Sequence, residues 1–175
     1  MKQVFLYSLF FIFCSILGFA GTLYFISDNK GSKQAQQPAN PKVIYQEFSD
    51  LSANELVKRG EGLLKKKKYG EAVAILEMAH GKAKPRSLAR RDAAIYLGDI
   101  YFTGKGRPKN IGTSYRYYSS EKLDGYRQVL YRLGVMLSNP ELAQYDLPKA
   151  REYLLKAESK GIAAATKQLA KIGRE

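Results

Sequence analysis

Apolar residues follow two unlike patterns along this chain. From Gln3 to Ser27 no residue is charged, and Val4 to Ile26 is a run of 23 residues made mostly of Phe, Leu, Ile, Tyr and Gly. As a helix that run would measure ~34 Å, enough to cross a hydrocarbon core of ~30 Å. Beyond residue 52 the apolar positions recur at helical period instead. Ala94, Leu97, Gly98 and Tyr101 fall at i, i+3, i+4 and i+7, one face of a helix. Read this way, the chain is predicted to form helices over 53–67, 70–83, 88–103, 111–124, 126–138, 147–160 and 162–172. Between the two patterns, residues 28–41 (DNKGSKQAQQPANP) show no apolar period and read as a flexible tether. Val43 to Phe48 forms a short lead-in. The expected division is an anchor over 1–27, a linker over 28–50 and a helical domain over 51–175.

Local signals agree with these helices. Ser52-Ala53-Asn54-Glu55 is a capping box, and Leu51 and Leu56 are spaced as the hydrophobic staple across it. Asn110 and Asp146 read as N-caps, and Gly125 and Gly161 as C-terminal stops. A glycine inside a helix costs roughly 1 kcal/mol against alanine, so Gly98 needs a packing reason. One emerges when the sequence is slid against itself by 36 residues. Leu97-Gly98 then lands on Leu133-Gly134 and on Leu169-Ala170, Ser114 on Ala150, Asn110 on Asp146 and Gly125 on Gly161. A fixed period in this range marks a solenoid of helical hairpins.

The unit containing Leu56, Gly60, Leu63, Tyr69-Gly70-Glu71-Ala72, Leu76, Ala79 and Pro85 resembles a tetratricopeptide repeat, with its two small packing positions, Gly60 and Ala72, 12 residues apart. Gly98 and Ser114, and likewise Gly134 and Ala150, are 16 apart. That longer turn, with Leu97-Gly98, Tyr101, Gly104-Lys105-Gly106, Asn110 and Tyr117-Tyr118, resembles the Sel-one-like repeat family, a close relative. The resemblance covers residues 53–173; the third unit departs from it, carrying Pro140 and Leu142 where the turn glycines would stand. It implies an all-α, tetratricopeptide-like (TPR-like) α-solenoid of about three hairpins plus a capping helix, which binds other proteins and carries no chemistry of its own. In such stacks the first helix of each hairpin lines the concave surface. The implied groove is Val57, Glu61 and Leu64, then Ile95, Asp99 and Phe102, then Gln128, Tyr131 and Val135. Phe102 and Tyr131 would anchor a partner's helix or extended segment. The competing reading is that some of these residues meet the lead-in or a neighbouring helix.

Charge adds a second candidate surface. The formal net charge is +13, which favours acidic proteins, anionic polymers or anionic lipid as neighbours. Lys65, Lys66, Lys67 and Lys68 form one basic run, and Lys82, Lys84 and Arg86 with Arg90 and Arg91 form another. The runs end successive antiparallel helices and so fall on opposite edges ~20 Å apart, which disfavours nucleic acid as a partner. Cations at helix C-termini also favour the dipole. The alternative function is thus a basic module on an anionic lipid or cell-wall polymer. Tyr115, Tyr117, Tyr118, Tyr126 and Tyr131, interleaved with Arg116, Arg127 and Arg132, could stack bases or sugars, but Tyr117 and Tyr118 occupy packing positions. The single cysteine, Cys14, lies in the apolar run, so neither a disulfide framework nor a cysteine metal site is expected. His80 is the single histidine, and Gly104-Lys105-Gly106 lacks the strand and the Lys-Ser/Thr of a phosphate loop. The sequence thus predicts no enzyme, no cofactor and no metal.

The apolar run has two readings. Gly18-Phe19-Ala20 offers a signal-peptidase site, which would make the protein secreted, but Thr22 to Ile26 continues the run past it and favours a retained single-pass anchor. The short tail before it, with Lys2, is expected in the cytoplasm, which places the solenoid outside, in the periplasm of a Gram-negative host.

Overall fold

Ser52 opens the first helix as its spacing to Glu55 predicts. In the computed structural model, which describes residues 46–173, the Glu55 carboxylate accepts from the Ser52 N–H at 2.8 Å. Ser52 Oγ accepts in return from the Glu55 N–H at 3.4 Å. An N-cap of this kind contributes about 1 kcal/mol. Leu51 packs on the cluster that holds Leu56, completing the staple. The described residues form seven helices: α1 (Ala53–Lys65), α2 (Tyr69–Lys82), α3 (Leu88–Thr103), α4 (Ile111–Ser119), α5 (Arg127–Leu137), α6 (Leu147–Ser159) and α7 (Ala163–Ile172). The expected anchor and most of the linker lie outside the described residues. None of the seven helices is long and apolar enough to cross a membrane.

The helices pair as three hairpins, α1–α2, α3–α4 and α5–α6, with α7 packed on α6. Each hairpin closes over a glycine. A Cβ on Gly60 would stand 2.6 Å from Leu76 Cδ2, and one on Gly134 would stand 2.5 Å from Leu154 Cγ; on Gly98 it would run into the Tyr118 ring. Asn110 and Asp146 cap α4 and α6 as expected. Their N–H groups donate to Tyr101 O and Leu137 O, both at 2.9 Å, so the second and third units close through the same bond. The third does so without turn glycines, bending through Leu142 N–H to Asn139 O at 3.1 Å and Tyr145 N–H to Leu142 O at 3.0 Å.

One helix end differs from expectation by more than two residues. α4 stops at Ser119 rather than 124, because the Ser119 and Ser120 hydroxyls donate to Tyr115 O at 2.7 Å and Tyr117 O at 2.9 Å. Such local bonds compete with continued helix. The chain then turns to bury Leu123, and Gly125 lies beyond the helix instead of ending it. Gly161 does end α6: its φ is +84°, with Gly161 N–H to Glu158 O at 2.8 Å and Ile162 N–H to Ala157 O at 3.0 Å. On α7 the outward Thr166 and Ala170 are exposed while Leu169 is buried, as a terminal helix requires.

Candidate functional site

The α3 residues expected in the groove sit on the flank adjoining its deepest packing positions, with Ile95 and Phe102 against the cluster of Tyr118, Leu123 and Leu133. Ala94, Leu97 and Gly98 are buried, and Ile95, Asp99 and Phe102 are half-buried. On α5, Tyr131 and Val135 are half-buried and Gln128 is exposed, while Leu130, Leu133 and Gly134 are core. The α1 contribution is smaller than the resemblance implies. Glu61 and Leu64 are half-buried, but Val57 is only 8% exposed and belongs to the cluster on which Phe48 and Leu51 of the lead-in pack. At Val57 the competing reading of the sequence, that a groove position meets the lead-in, is the one the packing follows.

A polar strut crosses from α3 to α5. Asp99 accepts from the Tyr118 hydroxyl and pairs with Arg132, whose Nη1 also donates to Tyr118 Oη at 2.7 Å. The Arg132 guanidinium lies 5.4 Å from the Phe102 ring centroid. Burial pushes the Tyr118 phenol well above its usual range and lowers Arg132. Asp99 is therefore compensated inside the fold, as Glu61 is by Lys65 at 2.9 Å on the surface. The groove that reads as mixed apolar and acidic in the sequence thus has its acids neutralised. Arg132 was not a groove candidate; its signal was an arginine beside Leu130 and Leu133 on an otherwise apolar helix, with Asp99 one repeat earlier.

Below the strut, α3 and α5 diverge. Their backbones do not pack as those of α1 and α3 or of α5 and α7 do. A cavity of about 350 Å³ opens there, walled by Phe102, Ile111, Val135, Met136 and Leu142. Lys109 reaches its rim, with Nζ 6.0 Å from the Phe102 centroid. Gln168 of α7 lines it too, its Nε2 donating to Ser138 Oγ at 3.0 Å. Phe102 and Val135 are brought together here. Tyr131, the other expected anchor, packs instead against the cluster of Leu130, Leu154 and Leu169. Ile111, Leu142 and Lys109 lie in turns or at a helix start, and nothing in the helical period marked them.

The two basic runs do not make one surface. Lys65 and Lys68 pair with Glu61 and with Glu71 at 3.3 Å. Lys82 donates to Leu51 O at 2.8 Å and to Ser49 O, fastening the lead-in. Arg90 is bound to Glu121 at 2.7 Å and to His80 O at 3.0 Å, and Arg91 is half-buried. Lys66, Lys67, Lys84 and Arg86 remain exposed, divided between the α1–α2 and α2–α3 turns. The tyrosines are packing residues: Tyr118 is 1% exposed, and Tyr117 stacks on Tyr101 at 5.9 Å with His80 edge-on at 5.4 Å. Burial, and secondarily the Arg90 charge, lower the His80 pKa. Among the described residues no group of three or more His, Cys, Asp or Glu converges as a metal site would require.

Comparison with known proteins agrees with this architecture. The family model described as Sel1 repeat matches residues 91–120 and 128–162, the second and third hairpins. Among solved structures, a Sel1 repeat protein from Oxalobacter formigenes superposes with a TM-score of 0.52 at 22% identity, covering 74% of this chain and 96% of that one. At that identity the likeness bears on the fold. No curated protein matches the chain.

Proposed function

Since the chain carries Sel1-like repeats, which are in general protein–protein interaction modules, we propose that it is a membrane-anchored adaptor. It holds a segment of a partner protein along the α3–α5 face and does no chemistry itself. The observation that carries this reading is the pair of half-buried Phe102 and Val135 lining a cavity that the described residues leave unfilled. Aromatic residues at the rim of a pocket are the usual energetic anchors of such contacts. The uncharged run of 23 residues from Val4 to Ile26 supports a retained anchor, and the short tail before it supports an extracytoplasmic domain, in an envelope-spanning or secretion assembly. The division of the exposed lysines between two turns weighs against an anionic polymer, nucleic acid or lipid surface as the main partner.

A photo-reactive residue placed at exposed Gln128 tests the groove in cells. An adduct with another protein is expected there, and none from Leu155 on the outer face of α6. Substituting Phe102 and Val135 with alanine should remove the adduct. Equal adducts from both positions, or an adduct indifferent to those substitutions, would overturn the groove. For topology, a reporter active only outside the cytoplasm and fused after residue 175 should be active; a mature protein beginning at Gly21 would refute the anchor.

A further inference from the structure

The cavity between α3 and α5 joins an apolar wall to a polar edge of Ser138, Asn139 and Gln168, with Lys109 at its rim, and that combination selects a ligand chemistry. Ten residues line it and none is a carboxylate; Lys109 is the single charged one. Lys109 is exposed, whereas earlier in the same turn Gly106 lies against Tyr69 of α2. Arg107 has a loose pairing with Glu77 at 3.9 Å. Among the described residues Lys109 has no carboxylate within ion-pair distance. The potential acid of this face, Asp99, is held by Arg132 and Tyr118. The rim therefore presents uncompensated positive charge over a well about 350 Å³ in volume, at the lower end of the ~300–1,000 Å³ usual for ligand pockets.

We propose that this cavity seats a bulky apolar side chain, leucine or phenylalanine, from an acidic segment of a partner protein, with a flanking Asp or Glu meeting Lys109. The proposal rests on the groove reading above and adds the chemistry of the occupant. Phe102, Ile111, Val135 and Leu142 supply walls that a leucine or phenylalanine would fill. The carbonyl of Gln168, whose Nε2 is engaged by Ser138, supplies an acceptor for a peptide N–H. Complementary charge at such a rim selects partners and speeds encounter more than it tightens binding. A bare polyanion would use Lys109 and leave the apolar well empty. A neutral apolar segment would fill the well and leave Lys109 unmet. An acidic segment with one bulky side chain satisfies both.

The test uses three labelled twelve-residue peptides and the full chain, isotopically labelled and titrated by nuclear magnetic resonance. One peptide carries a central Phe among Glu and Gly. The second replaces that Phe with Ser, and the third replaces each Glu with Lys. The first should shift resonances of residues around Phe102 and Val135, and the other two should bind at least tenfold more weakly. Lys109→Glu, on an exposed turn, should weaken the acidic peptide about tenfold and improve the Lys peptide, a reversal that mere damage to the fold would not produce. Binding indifferent to Phe→Ser would show simple polyanion attraction and overturn the proposal. So would absence of binding by the first peptide, or a Lys109→Glu chain that binds all three as before. A cross-link at Gln128 with no peptide binding would leave the groove standing and remove only this chemistry; loss of both would remove the two together.

Discussion

Replacing Gly98 and Gly62, each by alanine, should move stability in opposite directions. Both glycines lie inside helices, α3 and α1. Alanine in a helix interior is favoured over glycine by about 0.5–1 kcal/mol. At Gly62 nothing lies within 4 Å of the added Cβ, so Gly62→Ala should stabilise by that amount. At Gly98 the Cβ meets three atoms of the Tyr118 ring inside contact distance. The ring has little freedom to yield. It is 1% exposed, its hydroxyl is held by Asp99 and Arg132, and Ser114 Oγ pins its helix to Gly98 O at 2.7 Å. Forcing the two helices apart costs about 1–3 kcal/mol by overpacking, and loosening the Tyr118 hydrogen bonds adds about 1 kcal/mol. Set against the propensity gain, Gly98→Ala should destabilise by about 1–3 kcal/mol. Urea titration followed by far-ultraviolet circular dichroism reads both changes as midpoint shifts at an unchanged slope. A Gly98→Ala midpoint at or above that of the wild type would show that close approach is not why glycine stands there.

Three further outcomes follow from the geometry. Arg132→Met should destabilise by about 1–3 kcal/mol, less than a fully buried broken pair, because Asp99 is 37% exposed and can recover water; Asp99→Asn/Arg132→Met should recover part of the loss in the same urea titration. Gly106 has φ +79° and its Cβ would meet the Tyr69 backbone at 3.1 Å, so Gly106→Ala should lower the melting temperature, whereas Gly125→Ala, with nothing within 4 Å, should leave it nearly unchanged. His80 is held below its ordinary value of 6.5 by burial and by Arg90, so the unfolded chain takes up a proton that the fold resists. Stability from this group is complete above about pH 6.5 and falls as pH drops through and below that value. The wild-type melting temperature should therefore decline between about pH 7 and 5.5, and His80→Gln should flatten the decline; an equal slope in both would refute this assignment.

The elements were legible in the sequence because their causes are local. Ser52 and Glu55 are three residues apart and declare the start of α1. Gly60, Gly98 and Gly134 recur with their small partners Ala72, Ser114 and Ala150, and that recurrence set the hairpins. The end of α4 was missed because its cause is two serine hydroxyls competing for carbonyls, and serine tolerates a helix as readily as it leaves one. The site was legible in part. Phe102 and Val135, groove positions implied by the family resemblance, do meet at the cavity. Val57 is covered by the lead-in, whose docking depends on Lys82 reaching Ser49 and Leu51 some thirty residues away. The Asp99–Arg132 bond and the position of Lys109 depend on how far α3 and α5 diverge. That is a tertiary quantity, and neither helix encodes it alone.

The order in which the helices pack also bears on how the chain acquires its structure during synthesis. Each helix rests mainly on the helices next to it in sequence. The loops to be closed are therefore short, and closure entropy grows by only about 0.6 kcal/mol per doubling of loop length. Helical arrays of such low contact order fold in about microseconds to milliseconds. Translation proceeds at about 5–20 residues per second, so one 36-residue unit takes roughly 2–7 s to emerge. A completed hairpin, once across the membrane in the proposed topology, can thus settle on its predecessor long before the next has been made. The groove is then assembled from one end, with the Asp99–Arg132 bond closing once α5 is out.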